Sequence, residues 1–224
     1  MNAPGLNFKA ERPLHAPREA QAGPLIGPQP LIRTGRLTLR RPRASDAPAI
    51  AASLSNFNVG RMLLRVPQPY HLEDAEDWLA LVERSGESGW AFAVTLGGVR
   101  AMMEQQGARA ANSNRDDTLV GVVSVAWLTA AGRDGWHMGY WLDEAHWGKG
   151  ITTEAVNAVV ARFFSAHMGE VLYSSVMADN PASLRIQAKL GFDVTGTAEA
   201  FSMPRAEMAR LITTELTFGG YMPL

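Results

Sequence analysis

The sequence predicts one α/β (α+β) domain, a sheet layered with helices, and three observations carry that reading. Short stretches with period-two alternation, such as Leu37-Thr38-Leu39-Arg40, are interspersed with longer stretches whose apolar residues recur at helical spacing. Two helices announce their starts through turn and cap chemistry, at Gly148-Lys149-Gly150 and at Asn180-Pro181. The 224 residues are 46% hydrophobic and 19% charged, enough apolar material for a sizeable core at single-domain length.

Residues 1–30 hold six of the thirteen prolines together with Gly5, Gly23 and Gly27, a composition that resists helix and sheet and predicts a flexible arm. The domain is expected to span 31–224, opening with a strand through Leu37–Arg40. Ser45-Asp46-Ala47-Pro48 reads as a helix start with Ser45 as N-cap. Pro67 and Pro69 impose an extended loop, after which Ala75, Trp78, Leu79 and Val82 line one helix face. Trp90–Thr95 is a second strand. The polar stretch 97–117, with Asn112-Ser113-Asn114 at its heart, reads as a flexible insertion. Leu119–Trp127 and Trp136–Leu142, joined by a turn at Gly132–Gly135, form an antiparallel pair. A long helix from Gly150 to Ala166, a short strand Val171–Val176, a helix Pro181–Leu190 and two terminal strands complete the domain. Gly191 sits where a left-handed C-terminal stop is expected.

Charge and composition exclude several functions. Twenty-one Lys and Arg against 22 Asp and Glu leave a formal charge of −1, with no basic stripe for nucleic acid or an anionic membrane surface. With no cysteine there is no disulfide, thiolate ligand or thiol nucleophile. The five histidines show no ligand spacing, so no metal site is expected. No stretch is apolar enough for a signal or a membrane helix, and the sequence reads as cytoplasmic.

Chemistry concentrates in Tyr140-Trp141-Leu142-Asp143-Glu144-Ala145-His146-Trp147-Gly148-Lys149-Gly150-Ile151-Thr152. A strand ends and a turn with glycines at alternate positions leads straight into a helix. Such a turn lets the backbone approach an anion, and the first helical amides are unpaired donors at the positive end of the helix dipole. N–H groups from Trp147 to Thr153 can converge on a pyrophosphate, with Lys149 supplying charge and Thr152 a hydroxyl. The spacing is neither the dinucleotide-binding fingerprint nor a P-loop. About thirty residues later comes Asn180-Pro181-Ala182-Ser183, followed by Lys189-Leu190-Gly191-Phe192.

These two linked motifs, in this order, resemble the GNAT acetyltransferases. Gly139-Tyr140-Trp141-Leu142, Trp147-Gly148-Lys149-Gly150 and the opening Arg36-Leu37-Thr38-Leu39-Arg40 are similar to the branch that acetylates the N-termini of ribosomal proteins. The resemblance implies a central mixed, mostly antiparallel sheet flanked by helices, with a V-shaped split between the fourth and fifth predicted strands. Acetyl-CoA would lie in that split as cosubstrate. It would be held by Tyr140, Trp141, Leu142, Trp147, Gly148, Lys149, Gly150, Ile151, Thr152, Asn180 and Ser183, and the backbone at Tyr140 would polarise the thioester carbonyl. Many GNAT enzymes protonate the departing thiolate with a tyrosine whose place here falls on Gln187, which carries no acidic proton. In the N-terminal branch a serine at the place of Ser183 takes that role. Glu154, His137, Asp143 and His146 are candidates for general base, alongside water; Glu154 is selected with Ser183 and Tyr140 as catalytic. Arg61 and Tyr70, in the early loop, are the expected acceptor contacts. The acceptor would be a primary amine, a protein N-terminus or a small molecule, and the assembly a homodimer. A non-catalytic acyl-CoA-binding or sensory module is the alternative.

Overall fold

The computed structural model describes residues 23–97 and 117–224. Within them one eight-stranded sheet runs in the order β1-β2-β3-β4-β5-β6-β8-β7. Its strands are β1 (Ile32–Arg33), β2 (Thr38–Arg40), β3 (Gly89–Thr95), β4 (Leu119–Ala130), β5 (Arg133–Leu142), β6 (Val171–Met177), β7 (Asp193–Ser202) and β8 (Glu207–Thr217). Helices α1 (Ala47–Ser55), α2 (Phe57–Gly60) and α3 (Leu72–Ser85) precede β3; α4 (Ile151–Ala166) and α5 (Pro181–Leu190) flank β6. Neighbouring strands are antiparallel except β5 and β6. The mixed, mostly antiparallel sheet between helices is the architecture the sequence predicts.

Period-two alternation gives each side of the sheet its own core. Phe92 and Val94 of β3, with Val123 and Val125 of β4, meet Ala155, Val156, Val159 and Phe163 of α4 on one face. Ala93 and Val122, one residue out of phase, meet Ile50 and Leu54 of α1 and Ala75 and Leu79 of α3 on the other. Trp136 and Phe163, 1% and 0% exposed, lie edge to face at 5.9 Å. Burial of each such ring stabilises the fold by about 2–3 kcal/mol.

The turn between β2 and α1 departs from the expected Ser45 cap. A short 3-10 turn, Ala44–Asp46, comes first, and Asp46 is the residue before α1. Its carboxylate accepts from the Arg43 backbone N–H at 2.7 Å and from two Arg40 nitrogens at 2.8 Å each. Arg40 is 5% exposed and also donates to Asp117 at 2.7 Å, so a desolvated cation is fully compensated.

Of the arm assigned to residues 1–30, residues 23–30 are described, and they pack on the sheet. Ile26 is buried, Trp90 Nε1 donates to the Gly27 carbonyl at 3.0 Å, and Gln29 exchanges hydrogen bonds with Ala91. Structure therefore begins before Leu31. The remainder of the arm, and all of the 97–117 insertion except its two end residues, lie outside the described residues. Among the described residues no helix is long and apolar enough to cross a membrane, and no three acidic or histidine side chains are grouped to hold a metal.

Candidate active site

The parallel strands β5 and β6 pair only at Trp136 with Leu172 and His137 with Tyr173. Beyond that point they splay, and Gly139–Leu142 face Ser174–Met177 across an open cleft of about 380 Å³. Three buried polar side chains wedge the vertex. Gln187 donates to Ser174 Oγ at 2.9 Å, Ser174 Oγ donates to the Met138 carbonyl at 3.0 Å, and Thr214 Oγ1 donates to Gln187 Oε1 at 2.8 Å. Gln187, 1% exposed, thus spends both ends of its amide on holding the fork open.

One wall of the cleft is the turn into α4. Gly148 and Gly150 both adopt φ +74°, a left-handed conformation that side chains with a Cβ resist. Space around the Gly148 Cα is open, and Gly150, at the N-cap of α4, has no side chain to cap the helix, so among the described residues no cap side chain occupies its first amides. Trp147 closes the turn by donating from Nε1 to the Leu142 carbonyl at 2.8 Å. The opposite wall is the start of α5. Asn180 caps it, its Oδ1 accepting from the Ser183 N–H at 3.1 Å, with Pro181 at the first helical position.

Ser183 points at Tyr140 across the cleft, hydroxyl to Oγ at 2.7 Å. Burial pushes the Tyr140 phenol up to about 12, against the smaller opposing pull of its hydrogen bonds to Ser183 and Gln187. The pair therefore stays fully protonated at neutral pH.

The structure brings together most of the residues singled out from the sequence. Tyr140, Trp141, Leu142, Trp147, Gly148, Thr152, Asn180 and Ser183 all line the cleft. Lys149, Gly150 and Ile151 do not: Lys149 Nζ turns back to the Ala145 carbonyl at 2.8 Å, and Ile151 is 5% exposed in the core. The Lys149 ammonium therefore engages the turn itself rather than the cleft lining.

Two residues take other roles than expected. Glu154 lies outside the cleft lining and is engaged by three donors, Thr34 Oγ1 at 2.5 Å, Arg36 N at 3.1 Å and Arg36 Nε at 2.6 Å. Burial opposes its charge, but those hydrogen bonds outweigh it and hold the carboxyl below its ordinary value. A carboxylate so held acts as a clamp. With Arg36 Nη1 on the Lys149 carbonyl at 2.9 Å, it ties the β1–β2 loop to the glycine turn. Tyr70 is a core residue, 4% exposed among the α1–α3 side chains, because its ring fills the space between those helices. Its phenol is raised by that burial. Arg61 lies beside the cleft and pairs with Asp179, which lines it.

The other base candidates are also engaged. His137 Nε2 sits 3.2 Å from the Arg133 carbonyl on the face opposite Trp136 and Met138, with burial holding its pKa down. His146 pairs with Asp143 at 3.1 Å, and neither lines the cleft. Sequence reasoning missed the Gln187–Ser174–Thr214 wedge, the Arg36–Glu154 clamp and Asp179. Arg36 lay inside a quoted motif and Asp179 one residue before another, but nothing local showed their partners.

Comparison with known proteins agrees with this geometry. Residues 36–193 match the family model described as an acetyltransferase (GNAT) domain. The chain is 30% identical over 173 residues to the uncharacterized N-acetyltransferase YoaA of Bacillus subtilis (strain 168), covering 77% of this chain and 88% of that one. A ribosomal-protein-S5-alanine acetyltransferase from Vibrio fischeri superposes with a TM-score of 0.65 at 19% identity, covering 87% of this chain and all of the other. The microcin C7 self-immunity acetyltransferase MccE, solved with acetyl-CoA and AMP, superposes with a TM-score of 0.59 at 16% identity over 82% of this chain and 93% of its own.

Proposed function

This chain belongs to the GNAT acetyltransferase family, and from that premise we propose that it transfers the acetyl group of acetyl-CoA to a primary amine by direct attack on the thioester. The observation that carries the proposal is the cleft itself, a split between two parallel strands with a glycine turn and unblocked helical amides on one side and the Tyr140–Ser183 pair on the other. Those features suit the long, anionic and thioester-bearing shape of the cosubstrate, and MccE, a structural neighbour, was solved with acetyl-CoA bound.

The turn Trp147–Thr152 would hold the pyrophosphate through backbone N–H groups, and the splayed edge at Tyr140–Leu142 would accept the pantetheine arm. The thioester supplies an activated acetyl group, and a neutral amine attacks its carbonyl carbon as the C–S bond breaks. Ser183 gives its proton to the departing sulfur and recovers one through water from the ammonium, while Tyr140 donates a hydrogen bond to Ser183 Oγ and steadies the charge held there in between. Among the described residues, Asp179 is, apart from Tyr140, the one ionisable side chain lining the cleft, and Arg205 and Arg61 hold it below its ordinary value. Water therefore removes the ammonium proton. The similarity to a ribosomal-protein acetyltransferase favours a protein N-terminus as acceptor.

Purified protein with acetyl-CoA and a panel of N-terminal peptides and small amines should release free CoA thiol with at least one acceptor class. Acetyl-CoA binding with no thiol release across the panel would favour a non-catalytic acyl-CoA module instead.

A further inference from the structure

The acceptor side of the cleft carries a charge arrangement that the transfer chemistry does not use. Arg61 Nη2 donates to one oxygen of Asp179 at 2.8 Å and Arg205 Nη2 to the other at 2.8 Å, while Arg205 Nε donates to the Arg61 carbonyl at 2.8 Å. The three residues come from the end of α2, the turn between β6 and α5, and the β7–β8 turn. Met203 N on the Leu64 carbonyl at 2.8 Å fastens the last of these to the loop after α2. Two guanidiniums share one carboxylate, so the local formal charge is +2 − 1 = +1.

Resting on the acetyltransferase reading above, we infer that this cluster selects amine acceptors bearing a carboxylate close to the reacting amine. Among the described residues Asp179 is the one charged side chain lining the cleft, and it carries Arg61 on one oxygen and Arg205 on the other, so an acceptor's charge meets this cluster. Arg61 has a third of its side chain exposed, and a guanidinium carries five N–H donors in a fork that matches a carboxylate. Val59, Met62 and Leu63 form the adjoining wall and strengthen the attraction by displacing water. The same positive surroundings disfavour an ammonium. They raise the neutral fraction of the acceptor amine, which suits a cleft without a dedicated base, and they repel acceptors with a second cation.

The test uses C-terminally amidated tripeptides Ser-Glu-Ala, Ser-Gln-Ala and Ser-Lys-Ala, with glycine against glycinamide as the small-molecule arm, on the full chain and on Arg61→Gln and Arg61→Lys. Acetyl-CoA titration of each variant reports that the cofactor half of the cleft is folded. The expected order of kcat/KM is Glu over Gln over Lys, with about a tenfold step from Glu to Gln. In Arg61→Gln the Glu preference collapses toward unity through KM, and Arg61→Lys restores part of it. A Lys-peptide preference, or an unchanged Glu preference in Arg61→Gln, would overturn the inference while leaving acetyl transfer in place. No turnover with any acceptor would remove both.

Discussion

The two halves of the cleft are built in different ways. The cofactor half, from Tyr140 to Thr152 and from Asn180 to Ser183, is assembled from chain neighbours: a strand end, a glycine turn and two helix starts. The half proposed to meet the acceptor joins Arg61, Asp179 and Arg205, residues 118 and 26 positions apart along the chain. In the proposed reading, backbone amides would bind the cofactor in the first half, and charged side chains meeting across loops would meet the acceptor in the second. A site made of backbone leaves its mark in glycines and caps, whereas one made of long-range ion pairs leaves almost none.

Substitution of Ser183 by Ala should produce the largest effect if the cofactor half is catalytic as well as binding. Turnover should fall by about 10²-fold, the lower range for loss of a general acid, with acetyl-CoA affinity unchanged within about threefold. Tyr140→Phe should cost less, about tenfold, because Ser183 keeps its proton but loses the donor behind it. Turnover that survives Ser183→Ala would assign the proton to water and reduce this half to a binding surface.

Gln187→Leu probes the wedge where the halves meet. It leaves Ser174 Oγ and Thr214 Oγ1 without their buried partner and should lower stability by roughly 2 kcal/mol, which is about 4–8 °C in Tm for a chain of this size. A Tm within 1 °C of the parent would show that the vertex does not depend on that side chain.

Glu154→Gln sharpens the comparison least but most specifically, since the clamp touches the glycine turn and not the acceptor cluster. Acetyl-CoA Kd should rise about two- to threefold, as for one exposed ion pair, with acceptor preference untouched. The pH dependence has a definite sign. A carboxyl held below its ordinary value stabilises the fold above the unfolded pKa, and that contribution is lost as pH falls through the folded one. Acetyl-CoA affinity of the parent should therefore weaken on the acid side of pH 4.5, and the Gln variant should lack that part of the slope.

These differences explain what could be read from the sequence. Periodicity placed the strands and the long helix, since Phe92 and Ala93 fall on opposite faces as alternation requires. Asn180, Pro181 and Gly191 marked α5 because capping is local chemistry; an added Cβ at Gly191 would meet the Gly220 carbonyl oxygen at 1.9 Å. Glu154 misled because a first-turn carboxylate looks alike whether it serves catalysis or pairs with an arginine 118 residues away. Tyr70 misled because loop position does not reveal burial. For Lys149 the sequence shows the charge but not that its ammonium donates to the Ala145 carbonyl.

The central claim is that acetyl-CoA lies between β5 and β6 against the start of α4. Amide hydrogen exchange with and without saturating acetyl-CoA tests it directly. Protection should rise at 140–142 and 147–153 and at the start of α5, with α3 unchanged. Protection confined to other segments, or none at these despite saturable binding, would contradict the account.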